Sequence, residues 1–312
     1  MTDLRERHTV SVVAESAWDA RLAESREELP FARRRWLTLG LADAPDFRFV
    51  PTAVGWGRAG EVLLPLCVKG RRAQIGCFGY GSVAVSANWR GELPGFGELA
   101  ETVCREQGLT HLSTLLPPEG ACPGLERQLG HWPTGPGGST YLLDLTPGAD
   151  AVWKAARGSS RTAVRRAGTQ GLVASAAVPE QRADLVRLRH QTLERNGVRS
   201  AATAADLDFL ADGDHHTVTT VASDGEGVQA ASVFAVGGAG AFHLLQLTSE
   251  RGRQLNAGHL AFWSALTALA DRGIGTVDLG AAAGDGQERF KAGWGAYAAV
   301  ARVVEWPKGE SR

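Results

Sequence analysis

The chain has 312 residues, a formal net charge of −1 at pH 7 and 44% hydrophobic residues. This length suits two ordinary domains or one large domain, and the near-zero charge excludes an overall positive field that would recruit nucleic acid. The four cysteines are widely spaced and form no CxxC pair, which argues against a zinc site and predicts a reducing compartment. The sequence has neither a signal-peptide pattern nor an apolar run long enough to span a bilayer. We therefore expect a cytoplasmic protein with no membrane span and no bound metal.

Hydrophobic periodicity and turn signals predict alternating helices and strands in the first half of the chain. The predicted elements are a helical stretch at 16–41 that breaks at Pro30, strands at 47–54, 61–68 and 73–85, a helix at 94–107 and a strand at 111–116. Residues 132–140 are rich in Pro and Gly, which is typical of a connector. We place a domain boundary there, so the predicted domains are residues 1–138 and 139–312.

The second half repeats this order of elements. The predicted elements are a strand at 141–145, a helix at 150–167, a strand at 172–178, helices at 180–196 and 204–210, strands at 216–222, 229–236 and 241–248, a helix at 257–271, and strands at 276–279 and 298–305. Neither half shows the strict βαβ alternation of a doubly wound sheet. The predicted fold class is α+β, with two domains that each contain a mixed, mainly antiparallel sheet flanked by helices.

Residues 276–295, TVDLGAAAGDGQERFKAGWG, combine a strand end, a Gly/Ala-rich loop and a short charged helix. Lys291 lies in this helix, and it is one of only four lysines in a chain whose basic residues are otherwise arginine. An ammonium is a compact point charge whose pKa shifts readily on burial, so Lys291 is a candidate catalytic residue; a solvated lysine is the alternative. Asp278 is a candidate general base from its position, although a strand-end Asp that caps the next loop fits equally well.

A cluster of basic residues follows in the predicted helix at 150–167, and no acidic residue occurs between Ala151 and Pro179. The cluster consists of Lys154, Arg157, Arg161, Arg165 and Arg166. Three of these arginines are spaced i, i+4, i+8 and would line one helix face, where like charges repel unless a polyanion neutralises them. The pattern indicates either a face that binds phosphates or a solvated surface.

The segment 254–259, QLNAGH, is a weak match to the Q/R-x-x-G-x-G/A loop that holds pyrophosphate in acyl-CoA-binding acetyltransferases. Such a loop uses the free N–H groups of a helix N-terminus, but Ala257 stands where the first Gly belongs. Asn256 is a candidate phosphate ligand or an ordinary helix cap. Tyr80 in the GYG turn is a candidate for lining a cleft or an ordinary turn aromatic. No nucleophile elbow or P-loop occurs.

Four stretches taken in order resemble the Fem family of aminoacyl-tRNA-dependent transferases and the related CelD/BioF2-like acyltransferases of the GNAT superfamily. They are residues 64–85, 152–173, 255–280 and 287–296. The resemblance implies two GNAT-like domains with donor and acceptor sites in or beside the cleft between them, and it allows the C-terminal strand to return to the first domain. In that family a Lys in an FK…G turn after a DLG strand lies at the active site. Phe290–Gly293 and Asp278–Gly280 match those two motifs.

The resemblance implies an enzyme that forms an amide between an aminoacyl group carried on tRNA and a primary amine of a small molecule or peptide. It implies no resident cofactor. The implied roles are catalysis by Lys291 and Asp278, substrate binding by Tyr80, Phe290, Arg289 and Trp294, and binding of the tRNA acceptor end by Lys154, Arg157, Arg161, Arg165, Arg166 and Asn256. The alternatives are an N-acyltransferase that uses acyl-CoA and a non-catalytic module that binds RNA or phosphate.

Overall fold

The computed structural model describes residues 8–27, 29–89, 92–129, 132–238 and 240–307. The chain divides into two compact units: the first contains the residues up to Gly137 together with those from Ala301 onward, and the second contains Gly138–Val300. Strands pair mainly antiparallel in both units, and helices flank them. This confirms the predicted fold class. None of the helices in the described residues is long and apolar enough to cross a membrane.

The first part of the chain forms seven strands and four helices in the described residues. They are β1 (His8–Val12), α1 (Glu15–Ala23), β2 (Ser25–Glu27), α2 (Arg34–Asp43), β3 (Arg48–Trp56), β4 (Glu61–Lys69), β5 (Arg72–Ile75), β6 (Ala84–Ser86), α3 (Phe96–Gln107), β7 (His111–Leu116) and α4 (Pro123–Leu129). The strands run in the order β1–β3–β4–β5–β7, and only β5 and β7 are parallel. Arg302–Trp306 pair antiparallel with β7.

Two expectations for this unit were wrong in detail. The stretch 16–41 is not one interrupted helix, because β2 and a 3-10 turn at Pro30–Ala32 separate α1 from α2. The strand expected at 73–85 is two short strands, β5 and β6. Gly76 and Gly79 between them adopt positive φ values of 77° and 68°, which glycine reaches without strain and which end an extended strand.

The rest of the chain contributes the remaining strands and helices. Its elements are β8 (Gly135–Asp144), α5 (Ala149–Ala155), α6 (Gly158–Thr169), β9 (Val173–Ala176), α7 (Arg182–Arg195), β10 (Thr217–Asp224), β11 (Gly227–Gly237), β12 (Gly240–Thr248), α8 (Glu250–Gln254), α9 (Ala257–Asp271), β13 (Thr276–Asp278), α10 (Asp285–Gly293) and β14 (Tyr297–Trp306). Short 3-10 helices flank α7 at Pro179–Gln181 and Ala205–Ala211. The strand order is β8–β13–β12–β11–β10–β9, and only β12 and β13 are parallel.

Strand β8 corrects the expectation of a Pro/Gly-rich connector at 132–140, because the extended strand begins at Gly135. Proline and glycine are both compatible with extended backbone, and the ladder between Leu142–Asp144 and β13 anchors the strand. The local composition indicated a loop, but pairing with a neighbouring strand makes this segment extended.

The core of the second unit lies between α9 and the sheet. Phe234 of β11 and Phe262, Leu266 and Leu269 of α9 are fully buried there, and Trp294 joins them from the end of α10. Alanine, leucine and aromatic residues at helical spacing give α9 its apolar surface, and its bounds agree with the prediction. Each such side chain contributes roughly 1.5–3 kcal/mol on burial. This packing fixes α9 and α10 beside the end of β13.

Parallel strands β12 and β13 stay paired over a short distance only. Their ladder runs from Gly240 to Phe242 on β12, so residues 243–248 of β12 have no strand partner on that side within the described residues. Opposite β11, the register shifts at Leu244, where His243 pairs with Phe234 and Leu245 pairs with Val233. Such a bulge re-aims the backbone at the point where the two strands separate.

Candidate active site

Asp278, the last residue of β13, organises the loop that follows it. The side chain is 3% exposed, and its Oδ1 accepts hydrogen bonds from Thr140 Oγ1 at 2.5 Å and from the Gly280 amide at 2.7 Å. Gly280 has a φ of 72°, a left-handed conformation that lets the chain turn sharply after the strand. Asp278 therefore caps the loop, which is the second of the two readings that the sequence allowed.

Lys291 is the cation at this loop, and it is buried. Its Nζ donates to the carbonyl oxygens of Gly280 at 2.7 Å and Ala281 at 2.6 Å, and only 6% of the residue is exposed. The alternative of a solvated lysine was therefore wrong, because α10 turns its Lys291 face back over the loop. An ammonium has three N–H donors, and within the described residues the third makes no further hydrogen bond.

Burial and nearby charge act in opposite directions on the pKa of Lys291. Loss of hydration lowers this pKa from 10.5 to about 8, and the negative charge of Asp278 opposes the lowering. The ring of Tyr141 lies with its centroid 5.5 Å from Nζ and adds a cation–π contact. A lysine with a pKa of about 8 populates both protonation states near that pH, as functional lysines often do.

Two neutral histidines lie in this region, His243 beside Lys291 and His259 against Phe290. Burial, reinforced by the positive charge of Lys291, lowers the pKa of His243 to about 3. Its Nε2 has no hydrogen-bond partner within the described residues. Burial also lowers the pKa of His259, whose ring meets Phe290 edge-on at 5.0 Å between centroids. Both imidazoles are therefore uncharged at neutral pH, and Lys291 is the cation of this cluster.

The predicted substrate-binding residues occupy different environments. Phe290 is half-buried against Phe262, and Trp294 is fully buried and stacks on Trp263 at 5.9 Å. Arg289 is exposed on α10. Tyr80 belongs to the first unit, where it is buried and meets Phe31 edge-on. Trp294 thus supports α10 from within the core, and the substrate-binding roles stay predictions.

The basic residues do not lie on one helix, so the expected i, i+4, i+8 row was wrong. The backbone is extended at Ala156 and Arg157, with ψ of 145° at both, and this separates α5 from α6. The reason is a tertiary contact with the end of α10. The Gly293 carbonyl accepts from the Arg157 amide at 2.8 Å and from Ser160 Oγ at 3.2 Å. These bonds hold the start of α6 against Gly293, which lies two residues after Lys291 in the sequence.

Arg161 and Arg165 make contacts within the protein. Arg161 Nη1 donates to the carbonyl oxygens of Trp153, Lys154 and Ala156, at 3.2, 2.8 and 2.6 Å, so it caps the C-terminus of α5. The guanidinium of Arg165 lies 5.5 Å from the centroid of the Trp153 ring, within cation–π range. Sequence spacing alone did not indicate either contact.

The surface formed by Lys154, Arg157, Arg161, Arg165 and Arg166, here called the basic surface, is not neutralised by acids. None of these five residues forms an ion pair within the described residues, and all but Arg161 are exposed. Elsewhere in the unit arginines pair with carboxylates, as Arg182 does with Asp212 and Arg251 with Asp224. The basic surface therefore keeps its positive charge for a ligand.

The start of α9 departs from the expected cap. Asn256 precedes the helix with a φ of 59°, and its side chain makes no capping hydrogen bond. Its backbone carbonyl accepts from the amides of His259 and Leu260. Ala257 is fully buried and packs in a cluster with Ala222 and other small residues, so its methyl group points into the core and does not stand in front of the helix N-terminus.

Residues 154–292 match the family model described as an acetyltransferase (GNAT) domain. The second unit therefore carries an acyltransferase domain of GNAT type. Among solved structures, FemX matches with a TM-score of 0.62 and 10% identity, covering 95% of this chain and 96% of that chain. L-PGS from Bacillus licheniformis matches with a TM-score of 0.60 and 12% identity, covering 95% and 92%. A conserved protein of unknown function from Bacteroides thetaiotaomicron VPI-5482 matches with a TM-score of 0.62 and 9% identity, covering 96% and 99%.

At these identities the structural matches show a shared fold. The family model confirms the resemblance to the GNAT superfamily that the sequence motifs indicated, and the fold is shared with FemX and L-PGS. No curated protein matches the sequence. Sequence reasoning missed Thr140 and Tyr141, because their partners Asp278 and Lys291 lie more than a hundred residues further along the chain.

Proposed function

We propose that this protein transfers an aminoacyl group from tRNA to a primary amine of a small molecule or peptide and forms an amide. The observation that carries the proposal is the buried Lys291 ammonium, held by two loop carbonyls at the point where β12 and β13 separate. The unpaired basic surface begins beside it, because Arg157 is hydrogen-bonded to Gly293. An aminoacyl ester is already activated, so positioning and charge stabilisation suffice and no resident cofactor is needed.

In this proposal Lys291 donates its third N–H to the ester carbonyl oxygen. Negative charge develops on that oxygen as the amine attacks, and a buried ammonium stabilises it far better than an exposed one does. The ester C–O bond then breaks, and the terminal hydroxyl of the tRNA leaves with the proton that the amine loses. Asp278 acts through Lys291, since its charge keeps the lysine more basic and its hydrogen bonds hold the loop. We therefore assign Asp278 a positioning role rather than that of the general base.

The basic surface supplies the contacts to the tRNA acceptor end. Lys154, Arg157 and Arg166 have side chains that are exposed and without an ion pair within the described residues, which suits contact with phosphates. Arg161 shapes this surface by capping α5, and Arg165 is held against Trp153. Asn256 is a further candidate phosphate contact at the start of α9.

Acyl-CoA is the second candidate donor, favoured by the match to an acetyltransferase domain. It would place pyrophosphate at the N-terminus of α9, where the amide of the half-buried Gly258 is the group available. Ala257 is fully buried, so its amide is covered. The tRNA donor is preferred because the α9 terminus offers fewer accessible N–H groups than the basic surface offers cations.

Transfer is tested by incubating the purified protein with a mixture of charged tRNAs and a panel of primary amines, followed by mass spectrometry of the amides. Lys291→Met should lower kcat/KM at least about a hundredfold, as loss of an oxyanion donor does. Lys69→Met, which removes an exposed lysine of the first unit, should leave the rate unchanged. Binding of tRNA without amide formation would instead support the non-catalytic module.

A further inference from the structure

Glu288 is a carboxylate at the edge of the candidate site that the proposed mechanism does not use. It lies on α10 three residues before Lys291, so both side chains share one helix face. Glu288 is exposed, and within the described residues it forms no ion pair. Burial and the nearby carboxylate of Glu288 raise the pKa of the Tyr141 hydroxyl, and the ring of Tyr141 also contacts the Lys291 ammonium. Glu288, Tyr141 and Lys291 therefore form one continuous cluster.

The charges in this cluster leave one negative charge in excess. Asp278 offsets the charge of Lys291, and burial keeps His243 and His259 neutral. In the part of the chain that the structure describes, no cationic side chain forms an ion pair with Glu288. The side chain of Arg289, the next residue, leaves the helix in a direction about 100° away from that of Glu288. The excess charge is at the exposed end of the cluster, where a ligand can reach it.

The chemistry around Glu288 fits a primary ammonium group. Such a group has three N–H donors, and a carboxylate and a phenol oxygen accept two of them. Burial and the neighbouring Glu288 raise the pKa of Tyr141, so the phenol stays uncharged across the physiological range.

We propose that Glu288 and Tyr141 bind a primary ammonium group of a substrate beside Lys291. This inference rests on the proposed aminoacyl transfer, which involves two such groups: the α-ammonium of the aminoacyl donor and the amine of the acceptor before it loses its proton. Either source places a cation next to the exposed carboxylate. Glu288 is then a specificity-determining residue that separates amine-bearing substrates from uncharged ones.

The test compares Glu288→Gln with Asp285→Asn, which removes from the same helix an exposed carboxylate that forms no ion pair within the described residues. The donors are leucyl-tRNA and N-acetyl-leucyl-tRNA, and acetyl-CoA is run in parallel. The acceptors are ethylamine and methoxyamine, of which only ethylamine is a cation at neutral pH. Non-enzymatic reaction is subtracted, and the melting temperatures of all variants are measured.

Glu288→Gln should lower kcat/KM about tenfold or more for the substrate that carries the bound ammonium, with an unchanged melting temperature. Tyr141→Phe should cause a smaller loss, and Asp285→Asn should stay within about twofold of wild type. A defect seen with leucyl-tRNA but not with its N-acetyl form assigns the donor α-ammonium, and a defect seen with ethylamine but not with methoxyamine assigns the acceptor.

Equal rates for Glu288→Gln and Asp285→Asn on every substrate pair would overturn the inference. So would a uniform loss that does not depend on substrate charge, because that is the result of a structural role. If acetyl-CoA alone is used as donor, the proposed tRNA donor is wrong, while the comparison of ethylamine with methoxyamine still tests the role of Glu288.

Discussion

Replacing Lys291 by Met should change how the stability of the protein depends on pH. Methionine has a similar length but neither charge nor N–H donors. The pKa of Lys291 falls from 10.5 to about 8 in the folded protein, so between these values the unfolded chain binds a proton that the folded chain does not. By linkage, the wild-type free energy of unfolding therefore rises as pH increases through this range. The penalty for the buried charge is fully present below pH 8 and disappears above pH 10.5.

The size of this effect follows from the pKa values. At ~1.36 kcal/mol for each pKa unit, the full penalty is about 3 kcal/mol, and about 2.5 kcal/mol of it should vanish between pH 7 and pH 10. Lys291→Met also loses the hydrogen bonds to Gly280 and Ala281, and this loss shifts its free energy of unfolding by an amount that does not follow the titration of Lys291. The change with pH in the difference between the unfolding free energies of wild type and Lys291→Met therefore isolates the buried charge.

Urea unfolding of both proteins at a series of pH values from 7 to 10 measures this difference. Lys69→Met, at an exposed lysine, controls for the removal of a lysine in general. We expect the free energy of unfolding of the wild type to rise by about 2.5 kcal/mol relative to that of Lys291→Met between pH 7 and pH 10. Stability curves that run parallel, within about 0.5 kcal/mol, would refute the burial of a charged Lys291.

Further outcomes follow from the same contacts. The rate of transfer should fall as pH rises through about 8, since neutral Lys291 cannot stabilise an oxyanion; a pH–rate profile without this limb would argue against the role. Arg161→Ala should lower the unfolding free energy by roughly 1–3 kcal/mol, measured in urea, because three carbonyls at the C-terminal end of α5 lose a charged donor. Gly293→Ala should lower the melting temperature, because its Cβ would lie 2.7 Å from Ser160 Oγ. Gly168→Ala, where a Cβ meets nothing within 4 Å, should stabilise α6 by roughly 0.5–1 kcal/mol. A higher melting temperature for Gly293→Ala than for Gly168→Ala would contradict the packing.

The regular elements could be predicted from the sequence because their signals are local. Helix α9 has the predicted bounds, since its apolar residues recur at helical spacing and Gly273 follows its end. Strand β7 also has its predicted bounds. Pattern reasoning succeeded where side chains within one segment determine the structure.

The candidate site could be predicted only in part. The sequence indicated that Lys291 and Asp278 matter, but it could not show that Lys291 is buried, because its partners are backbone carbonyls that carry no sequence signal. The break between α5 and α6 was equally hidden, since the carbonyl that holds Arg157 belongs to Gly293, more than a hundred residues away. Long-range hydrogen bonds decided both features.

The central claim, that the acyl donor is an aminoacyl-tRNA, is tested most directly by direct competition between donors. Leucyl-tRNA carrying one isotope label and acetyl-CoA carrying another are supplied together with wild-type protein and ethylamine. We predict that the label from leucyl-tRNA dominates in the amide by about tenfold or more, and that this incorporation is lost in Lys291→Met but not in Lys69→Met. Incorporation of the acetyl label with the aminoacyl label absent would contradict the account and identify the protein as an acyl-CoA-dependent N-acyltransferase.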